Sequence, residues 1–117
     1  FMESSNYFPS GGLVDLSFNN PNIIDEEINV RAITLQPDGK ILIGGYFNQV
    51  NDIFKNNIAR LNPDGGLDNA FNASVLGGSV LFGTVISIVV QPDGKILIGG
   101  HFSSVNSVSR VSIARLN

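Results

Sequence analysis

The sequence contains no cysteine and no tryptophan, and His101 is the single histidine among 117 residues. Without cysteine, disulfide frameworks and thiolate metal sites are excluded, although the redox compartment stays open. A zinc centre built on one histidine would need carboxylates alone as its other side-chain ligands, which is rare. We therefore expect no metal and no other cofactor.

Charged residues are also scarce, at 15% of the chain, and the net charge of -3 is spread along the sequence. Binding to phosphate backbones needs clustered Lys and Arg, so nucleic acid is not an expected partner. No apolar run approaches the roughly 18 residues of a membrane span, and the start lacks a signal-peptide pattern. The hydrophobic fraction of 43% is too high for a disordered chain, so we expect it to fold.

What the sequence does contain is an internal repeat. The string QPDGKILIGG at residues 36–45 recurs unchanged at residues 91–100, and a shift of 55 residues aligns 20 identical residues out of 33 without a gap. Self-similarity at such a period is the signature of repeat architectures. Because the chain opens on Phe1 and stops at Asn117 within a repeat, the sequence indicates an ordered piece of a longer protein.

Each repeat unit predicts short β-strands. Within residues 30–35 the large apolar side chains Ile33 and Leu35 alternate with Ala32 and Thr34, as in a strand. The following Pro-Asp-Gly is typical of a tight turn in which Gly39 takes the left-handed conformation. Residues 41–43 are apolar without alternation, which indicates a strand covered on both faces. Gly44 and Gly45 remove two side chains, so a neighbouring layer can approach closely.

The rest of the unit completes an all-β prediction of four short antiparallel strands. Residues 48–57 are polar and differ from their copy, so they are expected to form a variable loop. Residues 58–62 return to a strand, and residues 67–71 supply a fourth strand that ends on an aromatic side chain.

This pattern divides the chain into four parts. Residues 1–29 are the tail of a preceding unit, with a strand at 9–18, plus a connector. Residues 30–71 form a complete unit, and residues 72–84 form a connector. Residues 85–117 supply three strands of a second unit. The connector side chains expected to pack onto the sheets are Leu76, Leu81 and Phe82.

The repeat motifs resemble the delta-60 repeat family, a kelch-like β-propeller repeat. The motif positions are residues 38–45 with Phe47, 58–62 and 64–71, repeated at 93–100 with Phe102 and at 113–117. The resemblance implies tandem four-stranded propeller blades that are part of a larger propeller. Similar proteins occur at bacterial surfaces, among secreted proteins and in phage virions, generally without an assigned enzymatic activity.

We accordingly expect a non-enzymatic structural or interaction module. A phage virion component, in a tail or fibre, is the first expectation, and a bacterial surface or secreted protein is the second. The localisation would then be the virion or the extracellular cell surface, with protein partners or neighbouring subunits. A carbohydrate-binding or carbohydrate-cleaving propeller, with cell-surface glycan as its ligand, is the alternative.

The two ends of the sequence are complementary, because the last unit lacks a fourth strand and residues 9–18 match one. Two units cannot close a propeller ring, and unpaired sheet edges invite association. Either further blades complete the ring, which we favour, or several copies form a homo-oligomer by strand exchange.

Residues present in both units are expected to serve the unit and not catalysis. Arg60 and Arg115 either pair with Asp68 and Asp15, since a half-buried guanidinium needs a carboxylate, or lie in solvent. The lysines that begin the second strand of each unit, at positions 40 and 95, are expected in solvent. His101 has serines nearby but no strand-turn-helix elbow, so no catalytic triad is predicted.

Partner binding is expected on the loops that differ between the units, because loops on a rigid scaffold usually carry function. The candidate residues are Asn48, Gln49, Asp52, Phe54, Lys55, Ser103, Ser104, Ser107 and Arg110. Phe54 is the sharpest candidate, since it is aromatic in a polar loop and its copy is not. It would stack on a sugar or anchor a protein interface, unless it packs locally.

Overall fold

The structure is a computed structural model that describes residues 12–19, 21, 29–78 and 83–117. Within these ranges all regular structure is β, so the predicted fold class is confirmed, and no helix capable of crossing a membrane is found in them. The first unit contains β1 (Asn29–Leu35), β2 (Ile41–Tyr46), β3 (Gln49–Val50), β4 (Ile53–Phe54) and β5 (Ile58–Leu61). The connector and second unit contain β6 (Val75–Leu76), β7 (Thr84–Val90), β8 (Ile96–His101), β9 (Ser104–Val105), β10 (Val108–Ser109) and β11 (Ile113–Leu116).

Both units build the same three-stranded antiparallel sheet, with the orders β1-β2-β5 and β7-β8-β11. The register is also repeated. Leu42 lies opposite Arg60 in the first sheet, and Leu97 lies opposite Arg115 in the second. The first strand of each sheet carries an irregularity at the same place, next to the Gly-Gly pair. The sequence repeat is therefore a structural repeat.

The turn between the first two strands of each sheet follows the prediction. Gly39 has φ 90° and Gly94 has φ 87°, a region that favours glycine. The glycine N–H donates to the carbonyl of Gln36 or Gln91 at 2.9 and 2.8 Å. The Pro-Asp-Gly sequence thus fixes a tight turn in both copies.

The predicted variable loops instead contain β-hairpins, β3-β4 and β9-β10. Their two central residues both have positive φ, namely 51° and 65° at Asn51 and Asp52, and 51° and 67° at Asn106 and Ser107. This is the geometry of a two-residue hairpin turn whose twist matches the strands, and Asn and Asp tolerate it. The loop expected over residues 48–57 was therefore wrong in part.

The fourth strand predicted at residues 67–71 is reduced to one isolated bridge between Leu61 and Leu67. The chain turns away because the Asp68 carboxylate accepts the N–H of Ala70 at 3.0 Å, and the Asp68 carbonyl accepts the N–H of Phe71 at 3.3 Å. An aspartate that bonds its own backbone two residues on favours a turn over a strand.

The N-terminal strand predicted at residues 9–18 is not formed within residues 12–18, and residues 9–11 lie outside the described part of the chain. Residues 15–18 instead form the turn seen at residues 68–71. Asp15 accepts the N–H of Ser17 at 3.0 Å through its carboxylate and that of Phe18 at 3.3 Å through its carbonyl. The sequence match between these segments is therefore a match of turns.

The connector at residues 72–84 joins the units through β6, which pairs with β9 of the second unit. Val75 is fully buried, but Leu76 is exposed, so its predicted packing onto the sheets was wrong. Successive side chains of a strand point to opposite faces, and only the face of β6 that carries Val75 is covered. Leu81 and Phe82 lie outside the described residues.

The two sheets stack face to face at Gly44. A Cβ added to Gly44 would lie 2.5 Å from Cγ1 of Val85 and 3.0 Å from Cδ1 of Ile88, so the second sheet occupies that space. The hydroxyl of Thr34 donates to the carbonyl of Ile88 at 2.8 Å and ties the layers together. The predicted close approach at the first glycine is confirmed.

Equivalent residues differ in exposure according to whether a neighbouring sheet covers them. Ile88 is 6% exposed against the first unit, whereas its counterpart Ile33, on the opposite face of the first unit, is 70% exposed. Ile58 is fully buried under the second unit, whereas its counterpart Ile113 is 64% exposed. Each end of the stack therefore carries exposed apolar side chains, although Ile43 and Ala59, on the same face as Ile33, are buried.

We expect Gly44→Ala to lower the free energy of unfolding by about 1–3 kcal/mol, because the new methyl group overpacks the interface between the sheets. The matched control is Gly99→Ala in the second unit, where the nearest atom to an added Cβ is the Ser112 carbonyl oxygen at 3.7 Å. Urea unfolding of both variants measures the difference. Equal losses at both positions would contradict the packing argument.

Candidate functional site

One buried carboxylate organises the charged residues of the first unit. The Oδ2 atom of Asp68 accepts from Nζ of Lys40 and from Nε of Arg60, both at 2.8 Å. The Arg60 guanidinium also lies 5.0 Å from the ring centre of Phe71, within cation–π range. The Arg60–Asp68 pair was one of two alternatives that the sequence left open, whereas the expectation that Lys40 lies free in solvent was wrong.

The environment of Asp68 stabilises its charged form. The hydrogen bond from Lys40, the N–H of Ala70 and the Arg60 charge lower the pKa of Asp68 well below its ordinary value of 3.8, although burial acts in the opposite direction. A group whose folded pKa is lowered stabilises the fold above the unfolded pKa. That contribution is lost as the pH falls below 3.8 toward the lowered value.

The second unit repeats the two cations of this cluster. Lys95 and Arg115 occupy the positions of Lys40 and Arg60, and no ion pair to either is found among the described residues. Arg115 is exposed, in line with the solvent alternative and not with pairing to Asp15. Asp15 instead bonds Ser17, whose hydroxyl and N–H lower the pKa of the Asp15 carboxyl.

Lys55 was predicted as an exposed contact for partners, but its side chain is buried. The ammonium group donates to the carbonyl oxygen of Phe71 and to Oδ1 of Asn72, each at 3.0 Å. These bonds hold the hairpin to the segment that leads into β6. Lys55 therefore acts inside the unit, and a buried ammonium group needs such partners. No feature of the sequence distinguished it from its exposed counterpart Arg110.

Asn57 is a second buried polar residue that the sequence did not single out. Its Oδ1 accepts the N–H of Phe47 at 3.0 Å, and its Nδ2 donates to the carbonyl of Val75 at 2.7 Å. Asn57 has φ 68°, a conformation that Asn tolerates better than most residues. It fixes the start of β5 against the connector, and its counterpart Ser112 in the second unit also has positive φ.

The other residues predicted for partner binding lie on or beside the two hairpins. Phe54 is 74% exposed and borders a cavity of about 230 Å³ that Asn106 of the second hairpin also lines. The structure therefore brings Phe54 and the second hairpin to one cavity. The exposed candidates are Asn48, Asp52, Phe54, Ser107 and Arg110, and the half-buried ones are Gln49, Ser103 and Ser104.

A second cavity, of about 260 Å³, lies beside His101. The cavity is lined by two glycines of the connector, by residues at and after the end of β8, and by the two residues before β11. These are Gly77, Gly78, His101, Phe102, Ser103, Val111 and Ser112. Within residues 12–19, 21, 29–78 and 83–117, no group of three His, Cys, Asp or Glu side chains could hold a metal ion. His101 is exposed and stands without a ligand set.

A family model described as a domain of unknown function (DUF5122) beta-propeller matches residues 36–71 and 91–117, which together make up more than half of the chain. The chain belongs to this β-propeller family. The repeated sheets are therefore propeller blades, here called blade 1 (residues 29–71) and blade 2 (residues 84–117). No curated protein and no solved structure matches the chain.

We expect Asp68→Asn to lower the free energy of unfolding by about 1.5–3 kcal/mol, because two charge-assisted hydrogen bonds lose their anion. Asp52→Asn removes an exposed carboxylate at a hairpin turn that suits Asn, and it serves as the matched control. Chemical unfolding at neutral pH measures both. A loss for Asp52→Asn as large as that for Asp68→Asn would refute the role of the ion cluster.

The lowered pKa of Asp68 also determines how the stability of the fold should depend on acid pH. The native protein should lose stability as the pH falls below 3.8. The reason is that the pKa of Asp68 is higher in the unfolded chain than in the folded one, so protonation at low pH favours the unfolded chain. Asp68→Asn should show a shallower loss over the same range. Thermal unfolding followed by circular dichroism between pH 5 and about pH 2 gives both slopes. Parallel slopes for the two proteins would mean that other carboxyl groups dominate.

Proposed function

We propose that this chain is a non-enzymatic structural and interaction module whose blades associate with further blades through their sheet faces. One observation carries the proposal: Ile33 and Ile113 are exposed on the two outer faces, while the equivalent Ile88 and Ile58 are buried between the blades. Large exposed apolar surfaces mark interaction sites. The partner with the matching shape is another blade of the same repeat.

The distribution of the repeated residues supports a scaffold role. Residues present in both blades form turns, as Gly39 and Gly94 do, or close contacts, as Gly44 does. The residues that differ lie mainly on the hairpins, where Phe54 and Arg110 are exposed. A rigid repeated core with individual hairpins suits binding and assembly, because binding residues commonly lie on loops held by a scaffold.

At a finer level, we propose a delta-60-like propeller in a phage virion, as part of a tail or fibre. A bacterial surface or secreted protein of the same repeat type is the second setting. The motif resemblance supports this assignment, and so does the pair of open faces, since virion proteins act by associating with neighbouring subunits. Mass spectrometry of purified particles from the source should find the chain at high copy number. Its exclusive recovery from cytosolic fractions would contradict both settings.

A carbohydrate-binding propeller is the second candidate, and the cavity beside Phe54 favours it. An exposed aromatic ring next to the amide groups of Asn56, Asn72 and Asn106 offers stacking and hydrogen bonding to a sugar. A glycan array with the native chain and Phe54→Ala tests this function. Binding that is lost in Phe54→Ala supports it, and the absence of any glycan signal removes it.

The scaffold proposal predicts that charges on the outer faces weaken association. We expect Ile33→Asp and Ile113→Asp each to lower the sedimentation coefficient of concentrated protein, because burying an unpaired carboxylate at an interface is unfavourable. Val108→Asp is the control, since Val108 is an exposed apolar residue on the β9-β10 hairpin and not on an outer face. Unchanged sedimentation of both face variants, or native protein that stays monomeric, would contradict the proposal.

A further inference from the structure

The side chain of Lys55 carries a buried charge that no anion neutralises among the described residues. It is 6% exposed, and its ammonium group donates to two neutral oxygens, the carbonyl of Phe71 and Oδ1 of Asn72. An ammonium group has three N–H donors, so one has no acceptor in the described part of the chain. The ion pairs found there belong to Lys40 and Arg60. Because a buried charge is costly unless it is paired, this group is suited to an anionic ligand.

Lys55 lines the cavity of about 230 Å³ that Phe54 borders. Its walls come from the end of the first hairpin, from residues 72–74 of the connector and from the turn of the second hairpin. The N–H of Val75 donates to the carbonyl of Asn56 at 3.1 Å, and Ser74 and Asn106 exchange two hydrogen bonds of 2.8 Å each. These bonds join both hairpins to the connector, so the stacking of blade 1 on blade 2 forms the cavity.

Amide and hydroxyl groups on the walls keep hydrogen-bonding capacity for a ligand. Asn106 accepts the Ser74 N–H through Oδ1, and its Nδ2 has no acceptor among the described residues. Asn56 donates through Nδ2 to Oγ of Ser74 at 3.0 Å, which leaves Oδ1 of Asn56 and the hydroxyl hydrogen of Ser74 available. Since the internal bonds orient these side chains, a ligand meets groups that are already in place.

An exposed aromatic ring completes the set. Phe54 is 74% exposed at the edge of the cavity, so its face can stack on the C–H groups of a sugar ring. A simple anion or an acidic side chain would use the cation and leave the ring without a function. Phe54 and Lys55 are replaced by Ser109 and Arg110 in blade 2, so the repeat itself requires neither of them.

The size of the cavity limits the ligand that fits. Its volume of about 230 Å³ lies below the roughly 300–1,000 Å³ of pockets that enclose drug-sized molecules. Asn72 and Asn106 at its margin are exposed, whereas Lys55 is buried. A single ring with a charged substituent directed inward matches this arrangement, and further rings of a chain would extend into solvent.

We propose that this cavity binds an acidic sugar, a uronic or sialic acid residue of a glycan. Its carboxylate meets the Lys55 ammonium group, its ring lies against Phe54, and its hydroxyl groups bond the amides of Asn56 and Asn106. The inference rests on the carbohydrate-binding function proposed above and names the ligand class. A charge-assisted hydrogen bond favours the acid over the corresponding neutral sugar.

Pairs of glycans that differ only in the carboxyl group test the inference on the native chain. An array carries uronic and sialic acid glycans beside the same glycans with each carboxyl group reduced to an alcohol. The native chain should bind an acidic glycan at least about tenfold more tightly than its reduced counterpart. Equal binding within the pairs would overturn the acidic-sugar inference and leave the carbohydrate-binding function standing. Binding to no glycan at all would remove both.

Asn106→Asp tests the position of the carboxylate. Aspartate keeps an oxygen that accepts the Ser74 N–H and tolerates the positive φ, but its charge repels an anion in the cavity. We expect it to weaken binding of the acidic glycan about tenfold or more. Asn51→Asp is the matched control, because Asn51 is the equivalent turn residue of blade 1, also with φ 51°, and is not part of the cavity wall. Equal affinities of the two variants would place the carboxylate elsewhere and contradict the proposal.

Competition separates a sugar site from a site for any anion. The free acid contained in the bound glycan, glucuronate or N-acetylneuraminate, should displace that glycan at concentrations at which acetate and inorganic phosphate do not. Acetate supplies the carboxylate without the ring, so the difference measures the contribution of the sugar. Displacement by acetate or phosphate at the same concentration as by the sugar acid would show that the cavity recognises charge alone, and the sugar assignment would be wrong.

Discussion

The structure depends on one sheet covering the face of the next. Val85 and Ile88 of blade 2 occupy the space above Gly44 where any side chain would stand, and Leu42 beside it is fully buried. An isolated three-stranded sheet leaves much apolar surface in water, at a cost of roughly 25 cal/mol per Å². Burial between blades removes that cost on one face of each sheet.

The charged residues follow from the same arrangement. A carboxylate held at the edge of a sheet needs cations, and Asp68 receives two from its own blade, Lys40 just before β2 and Arg60 on β5. The cluster fixes the chain where the strand pairing ends after Leu67. In blade 2, Lys95 and Arg115 occupy the equivalent positions.

Much of this architecture follows from the sequence because the determinants are local and occur twice. The Pro-Asp-Gly turn, the central apolar strand and the Gly44 contact depend on residue types whose conformational preferences are strong. The fourth strand at residues 67–71 was predicted incorrectly, because aspartate at its second position favours a turn by bonding its own backbone. The two hairpins were not predicted, because their central residues, Asn-Asp and Asn-Ser, indicate a hairpin turn less strongly than Asn-Gly does.

The candidate site was less predictable than the fold. Lys55 is buried and its counterpart Arg110 is exposed, and the buried ammonium group of Lys55 depends on the carbonyl of Phe71. Such a difference depends on contacts 16 residues away and leaves no local pattern. For Phe54 the sequence left two alternatives, an exposed contact and local packing, and the side chain is 74% exposed.

Native-state hydrogen exchange under increasing denaturant tests the central dependence of one blade on the other most directly. If each sheet is stable only while the next one covers it, the slowest amides of β2 and β8 should exchange with the same free energy and the same denaturant dependence, as one cooperative unit. Protection of β8 that persists after β2 has become fully exchangeable, or the reverse, would contradict the account.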